Sequence, residues 1–566
     1  MFLKVLNILF VSLLLLGFVG CSEKSKDNHE ITETHKLVKF EEKIEASGIE
    51  HVGGHSYRTN LKLLGSGWEF KENVNYILFE NDVQLKGAKK TKEAIEIEGR
   101  GRYRVENDKT LVFSSSDNSD PSKNRKKYKV VWEERVVESR LVANLTKSEN
   151  RIEFTLPEDD QIFTRKIKII NIDADYTVSP SFLGNEVMPM GSLEAILEWL
   201  VEDDMTDAEK ANALYKFVKK WRYHYYPTEE TGKASDEPHD VVKLFNVYGY
   251  GYCDDSALAL SAMANAVGLK SRTYCLTGHV VTEIFYNSEW HMYDPDLEVV
   301  YKDVDGDIVS ASSIERDTSL ILDGPELSNG TDRKYISKIY ASTNDNYVLA
   351  TPELVEDLVK NYQKHRIEWE ISPGDSVEFL FNGNKALRID HFDKLLPPIV
   401  GNGKVVRKLS SKNSMYSNKT LSMYSNNKLY VKQQWPYTIL TGTLSLGNIP
   451  VTSKFSASVF DRKDNKYKPL PVKIKKGEVF VDLSRWILRN RSELYEINMV
   501  LDGLTPPVKL QDGYLTFDFQ FAPKSLPSVS RGENSIQVNL NFPEEDDFPK
   551  KWAGLDFSIE WVRQNN

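Results

Sequence analysis

The stretch Tyr248–Leu269, "YGYGYCDDSALALSAMANAVGL", places one cysteine between a glycine–tyrosine turn and a run of small and apolar residues. Gly249 and Gly251 permit a tight turn. Ala257, Leu260, Ala264 and Val267 then recur at helical spacing, and Gly268 marks the end of the helix. Ala257, Ala259, Ser261, Ala262 and Ala264 are small enough to let this helix pack closely at the centre of a domain. Cys253 thus stands at a predicted helix start. The unpaired N–H groups and the dipole there favour a thiolate, the form in which cysteine acts as a nucleophile. Asp254 and Asp255, in the same first turn, bring like charge that opposes it.

An activated thiol also needs an imidazole. His279 opens an alternating run, "HVVTEIFYN", and "EWHMYDPD" follows it. A hairpin from His279 to Asp294, turning at Tyr286-Asn287-Ser288-Glu289, sets the histidine beside the carboxylate. In this reading Cys253 attacks a carbonyl, His279 carries the proton to the leaving group, and Asp294 fixes the imidazole tautomer and stabilises its charge. The Cys253 N–H is an oxyanion donor. Tyr250 and Tyr252 of the turn, with Trp290, are candidates to line a substrate groove; turn packing is an equally open reading. Taken singly, each triad candidate has a plainer reading: a packed thiol, a hydrogen-bonded core histidine, a turn carboxylate before Pro295. His291 and Asp296 are neighbours that compete for the same roles, and His224 and His239 read as solvated loop residues. A zinc set of Cys253, His279, His291 and Asp294 has suitable ligand types, but the chain has neither CxxC nor HExxH. No metal and no organic cofactor is expected.

"GYCDDSALALSAMANAVGLKSR", with Gly251, Cys253, Gly268 and Arg272, resembles the nucleophile element of the transglutaminase-like, papain-related superfamily. "HVVTEIF", with Glu283 four residues after His279, resembles its histidine strand. "WHMYDPD", with Trp290, Asp294 and Pro295, resembles its W-x-x-x-D-P element, and "TDAEKANALYKFVKKWRY" resembles its lead-in helix. The resemblance implies a catalytic triad of Cys253, His279 and Asp294. It leaves the reaction open among cross-linking, peptide hydrolysis, amide hydrolysis and an inactive scaffold.

Upstream of the cysteine, Thr206 and Glu209 form a predicted capping box, and Ala211, Leu214, Tyr215, Val218 and Trp221 fall on one face of the helix that follows. "SLEAILEWLVEDDMT" predicts an earlier helix, and "DVVKLFNVYG" one that starts at Asp240 and stops at Gly249. Helices first, then antiparallel strands, make this block α+β. On either side the pattern changes to period two. "NYILFE", "TLVFSS", "KYKVVWEE" and "RIEFTL" lie before it, and "DSVEFLF", "KLYVKQQW", "YTILTGTLSL" and "TFDFQF" after it. A helix around "TPELVEDLVKNYQ" has Pro352 just inside its start. Aromatic stretches in the flanks, "QQWPYTIL" and "KKWAGLDFSIEW", read as sandwich core or as sugar-stacking platforms.

At 566 residues the chain is too long for one core, and about three or four domains are expected. A net charge of −10 without a basic stripe argues against nucleic-acid binding. The N-terminus, "MFLKVLNILFVSLLLLGFVGC", has a lysine, an apolar run and small residues, which is a secretory signal too short to span a bilayer. Its end, Phe18-Val19-Gly20-Cys21, resembles the bacterial lipoprotein signal. That implies lipidation of Cys21, and Ser22 at the next position favours the outer membrane. Cys253 and Cys275 then remain, too few for a disulfide scaffold in an exported protein; Cys275 reads as a buried strand thiol.

The expected architecture is multidomain, with a central α+β transglutaminase-like (papain-like) domain flanked by β-sandwich-type domains. The expected boundaries are a signal peptide over 1–20, a polar tether over 21–37, an N-terminal β-domain over 38–180, the central domain over 181–310, a connecting segment over 311–410 and a C-terminal β-domain over 411–566. The expected function is acyl transfer through a thioester. Its partners are the membrane, reached through Cys21, and a protein, peptide or glycan substrate of the envelope. The alternative is an inert or glycan-processing, glycan-binding lipoprotein that uses the domain as scaffold.

Overall fold

The structure, a computed structural model, describes residues 29–564 apart from 62–74, 86–90, 107–109, 159–160, 186, 225–238, 326, 328–331, 342–345, 382–400, 410–419, 426, 463, 490–494, 506–512 and 543–551. Cys21 and the signal segment lie outside the described residues, as does most of the loop before His239. Among the described residues no helix is long and apolar enough to cross a membrane. The chain forms two compact units, the first from 1–141, 157–164 and 560–566, the second from 142–156 and 165–559.

The first unit is mostly strand. Strands Glu50–Gly53, Ser56–Asn60, Thr110–Phe113 and Tyr103–Val105 form an antiparallel sheet in that order. Leu78, Leu111, Phe113, Val130 and Trp132 share one buried cluster. Glu80 is buried among donors, accepting from Ser116 N at 3.0 Å and Tyr128 OH at 3.0 Å. Burial works against its charge, but these bonds and that of Lys126 hold its carboxyl below the usual range.

The second unit contains the central α+β domain. Helix α1 (Leu193–Leu200) is capped by Ser192. Helix α2 (Asp207–Trp221) begins with the reciprocal Thr206–Glu209 capping box and buries the predicted face, with Phe217 in addition. A short helix from Val241, capped by Asp240, widens into a π turn over Leu244–Tyr248. Gly249 ends it in the left-handed conformation at φ 71°. Strands β1 (Tyr223–His224) and β2 (Tyr250–Gly251) pair in parallel, and helix α3 (Cys253–Ala266) follows.

Strands β3 (Lys270–Leu276), β4 (His279–Tyr286), β5 (Glu289–Tyr293) and β6 (Tyr347–Ala350) form an antiparallel sheet in the order β5-β4-β3-β6. The β4–β5 turn is Asn287-Ser288, both at positive φ, a two-residue hairpin geometry matched to strand twist. Helix α3 lies against β3 and β4. Two sheet hydroxyls bond its inward carbonyls, Thr282 Oγ1 to Ala257 O at 2.8 Å and Ser271 Oγ to Ser261 O at 2.7 Å. Small residues on α3 allow that approach; Ala257, Ala259 and Ala264 are fully buried.

The rest of the second unit is mainly β-structure with short helices, among them Arg333–Ala341 and the expected Pro352–Tyr362, which Thr351 caps. Strands Ser376–Leu380 and Gly401–Lys408, expected in a connecting segment, pair with each other, and the latter pairs with Tyr514–Phe521. A five-stranded antiparallel sheet runs Thr420–Ser425, Lys428–Gln434, Glu496–Leu504, Val451–Asp461, Lys466–Leu470. Trp435 and Tyr437 of the aromatic stretch are buried, with Trp435 and Phe519 ring centroids 5.1 Å apart. They pack as core, where no sugar could stack on them. Trp561, in the first unit, is buried as well.

Candidate active site

The site is assembled at the start of α3. Gly251 has no room for a side chain, because a Cβ there would lie 2.7–3.0 Å from the Asp255 side chain. That closeness lets Asp255 Oδ2 accept from Tyr252 N at 2.9 Å. Asp255, expected to oppose the thiolate by its like charge, is also a buried cap that fixes the nucleophile turn. Cys253 is the first residue of α3 and is half-buried. A residue at that position stands beside unpaired helix N–H groups, a favourable place for negative charge.

His279 opens β4 after Gly278, which turns at φ 73°. Its Nε2 lies 2.7 Å from Asp294 Oδ2. Asp294 is fully buried just beyond β5. Its Oδ1 accepts from Asp296 N at 3.1 Å and Leu297 N at 2.9 Å, and Tyr340 OH lies 3.4 Å from Oδ2. These bonds fix the carboxylate plane and hence the imidazole. With Nε2 engaged, Nδ1 is the nitrogen left for the thiol. Cys253 Sγ, a His279 ring nitrogen and an Asp296 carboxylate oxygen all lie within 4.8 Å of one another. Burial opposes the imidazolium, but Asp294 and then Cys253 raise the His279 pKa well above the ordinary histidine value.

Sequence reasoning missed three further groups. His224, expected in solvent, lies with Nδ1 2.7 and 2.9 Å from the Asp296 carboxylate oxygens and its ring 5.5 Å from that of Tyr252. Arg222 forms an ion pair with Asp296 in which each side chain is 3% exposed. Its guanidinium also donates to Gly251 O and Pro295 O, each at 3.3 Å. Burial again works against the Asp296 charge, yet the Arg222 charge and the His224 hydrogen bond hold that carboxyl well below the usual range. His239, likewise expected in solvent, is 3.6 Å from buried Asp255. A clue was present in the sequence: Arg222 and His224 directly follow the lead-in helix. Nothing there tells that β1 pairs with β2, which brings them to the nucleophile.

Other candidates are placed elsewhere. Tyr250 is fully buried, so it packs and cannot line an open groove; Tyr252 is half-buried beside His224. Trp290 lies at the turn end of the hairpin, opposite Phe285 and 4.1 Å from the Arg272 guanidinium, whereas His279 is at the other end of β4. Arg272 in turn pairs with buried Glu283, which accepts from Ala311 N at 2.9 Å. His291 is stacked on Tyr286 at 3.7 Å, with its nitrogens toward Ile308 O and Tyr286 O. That removes it from the zinc set considered above, and the close trio contains Asp296 instead. Cys275 is a free, half-buried strand thiol, and no disulfide joins it to Cys253.

Residues 194–295 match the family model of the transglutaminase-like superfamily. The central domain is transglutaminase-like, set in a strand-rich multidomain chain. One solved structure, of a Parabacteroides distasonis protein provisionally named a protease, aligns at 8% identity over 86% of this chain and 95% of that one. Its TM-score is 0.16, and that likeness carries no argument. No curated protein matches the chain.

Proposed function

We propose that this protein is a lipid-anchored cysteine enzyme of the bacterial envelope that transfers acyl groups through a thioester, with hydrolysis of amide or peptide bonds as its main outcome. The observation that supports this most is a single imidazole held between a buried carboxylate and a thiol at a helix start. Cys253 reacts as the thiolate, with His279 as the imidazolium beside it. Sulfur attacks the amide carbon, and the oxyanion that forms is held by the Cys253 N–H and the positive end of α3. His279 gives its proton to the nitrogen as the C–N bond breaks, leaving a thioester. The neutral imidazole then takes a proton from water, whose oxygen attacks the thioester. The C–S bond breaks, the acid leaves, and the thiolate–imidazolium pair is restored. An amine in place of water yields a new amide. Asp294 keeps Nε2 protonated and Nδ1 aimed at sulfur throughout.

The test uses an activated ester, p-nitrophenyl acetate, and intact-protein mass spectrometry. An acetyl group should appear on Cys253, disappear in water, and pass to hydroxylamine when that amine is added. Absence of the adduct, or one that persists indefinitely, would sink the proposal. The anchor has its own test: Cys21→Ala should move the protein from the membrane fraction to the soluble periplasm, and a variant that stays with the membrane would refute lipidation.

A further inference from the structure

The catalytic reading leaves a buried ion pair unexplained. Arg222 and Asp296 are almost fully enclosed, yet neither belongs to the triad. A buried carboxylate within 4.8 Å of the sulfur repels the thiolate strongly unless it is neutralised, because the medium there screens poorly. The charged and titratable groups facing Cys253 divide by element. The nucleophile helix carries Asp254 and Asp255, the latter with His239 opposite. The hairpin brings His279 with Asp294, and the loop beyond it brings Asp296. The chain around β1 brings Arg222 and His224. Of the cations, His279 is committed to Asp294, and His224 and His239 can lose their charge. Arg222 cannot.

The same guanidinium is a mechanical link. It holds Gly251 O, two residues before the nucleophile, and Pro295 O, one residue after the triad carboxylate. Arginine suits this place because its planar fork serves several acceptors at once and is weakly hydrated. A lysine ammonium is a point charge and cannot span them equally.

We infer that Arg222 is a positioning residue for the nucleophile: it neutralises Asp296, so that Cys253 can ionise, and ties the nucleophile turn to the loop of the triad carboxylate. The inference rests on the catalytic reading of Cys253. Its test is independent, because the pH midpoint of Cys253 alkylation is defined whether or not the protein turns over an ester.

The experiment follows iodoacetamide labelling of the Cys253 peptide across pH by mass spectrometry, in a Cys275→Ala background. Arg222→Met should move the midpoint to higher pH by about one unit or more, a tenfold loss of labelling at low pH. Asp296→Asn should move it to lower pH or leave it unchanged. The double variant should return to within about half a unit of the parent. An Arg222→Met midpoint equal to that of the parent overturns the inference. So does a double variant displaced as far as Arg222→Met alone, since a merely architectural arginine is not rescued by removing a charge. Should Arg222→Met fail to fold, Arg222→Lys serves: it keeps the charge, so the midpoint should stay while acylation by the ester slows several-fold. A Lys variant with a displaced midpoint, or with unchanged acylation, counts against the proposal.

Discussion

His279 draws its character from two neighbours and little else. It is buried, which disfavours its charge, and Asp294 and Cys253 more than restore it. The linkage has a definite sign. A histidine whose folded pKa is raised contributes stability in full below its unfolded value of about 6.5, and that contribution is lost as pH rises through the folded value. Urea unfolding should therefore show the parent losing more stability than His279→Gln between neutral and strongly alkaline pH; parallel losses would contradict the assigned charge state. Asp294→Asn should slow ester acylation by roughly 10²-fold or more, since the amide presents the wrong partner to Nε2; an unchanged rate would remove Asp294 from the mechanism. The cysteine, histidine and carboxylate were legible as candidates because each stands at a turn into or out of a regular element. Arg222, His224 and the cap role of Asp255 were not legible. Each depends on a partner that only folding brings close: Arg222 reaches residues 29 and 74 positions away.

Among the elements, α3 and the turn before it place the thiol. The turn is defined by Gly249 in the left-handed region, Gly251 under the Asp255 carboxylate, and Asp255 on Tyr252 N. A methyl at Gly251 forces Asp255 off its bond, at a cost of about 1–3 kcal/mol of packing and cap. Gly251→Ala is thus expected to lower Tm by a few degrees while slowing Cys253 acylation at least tenfold. An alanine variant with normal acylation would show that the cap does not position the thiol. Helix α3 itself was predictable from its small residues and its closing glycine, and so was the β4–β5 hairpin. The π turn over Leu244–Tyr248 was not, because it answers to tertiary packing: Asn246 is buried with its amide on Met190 O and Val242 O, each at 3.0 Å, and no local propensity signals that.

At the largest scale, later segments of the second unit support the site. Ala522 N donates to Asn246 O at 2.7 Å, and Gly249 packs against Ala522. Lys524 Nζ donates to Lys220 O at 2.7 Å, at the end of the lead-in helix, and lies 4.1 Å from the Tyr223 ring centroid. Tyr340, which touches Asp294, comes from beyond residue 310, as does β6, the edge strand of the central sheet. A fragment of residues 181–310 should therefore be largely unfolded by circular dichroism and unreactive at Cys253, although it contains all three triad candidates. A folded, reactive fragment would mean that the later segments are ornament. Period-two patterning revealed the strands of the flanks, but pairing between strands over a hundred residues apart, such as Gly401–Lys408 with Tyr514–Phe521, leaves no local trace.

Catalysis by this site requires His279 to make the Cys253 sulfur unusually nucleophilic. The direct measurement is the iodoacetamide labelling rate of the Cys253 peptide at pH 6, in the full chain and in His279→Ala. An ordinary thiol, ionising at about 8.5, reacts slowly there. Cys253 should label at least tenfold faster than Cys275 in the same molecule and lose that advantage in His279→Ala. Equal rates for the two cysteines, or a rate that survives loss of the imidazole, would contradict it.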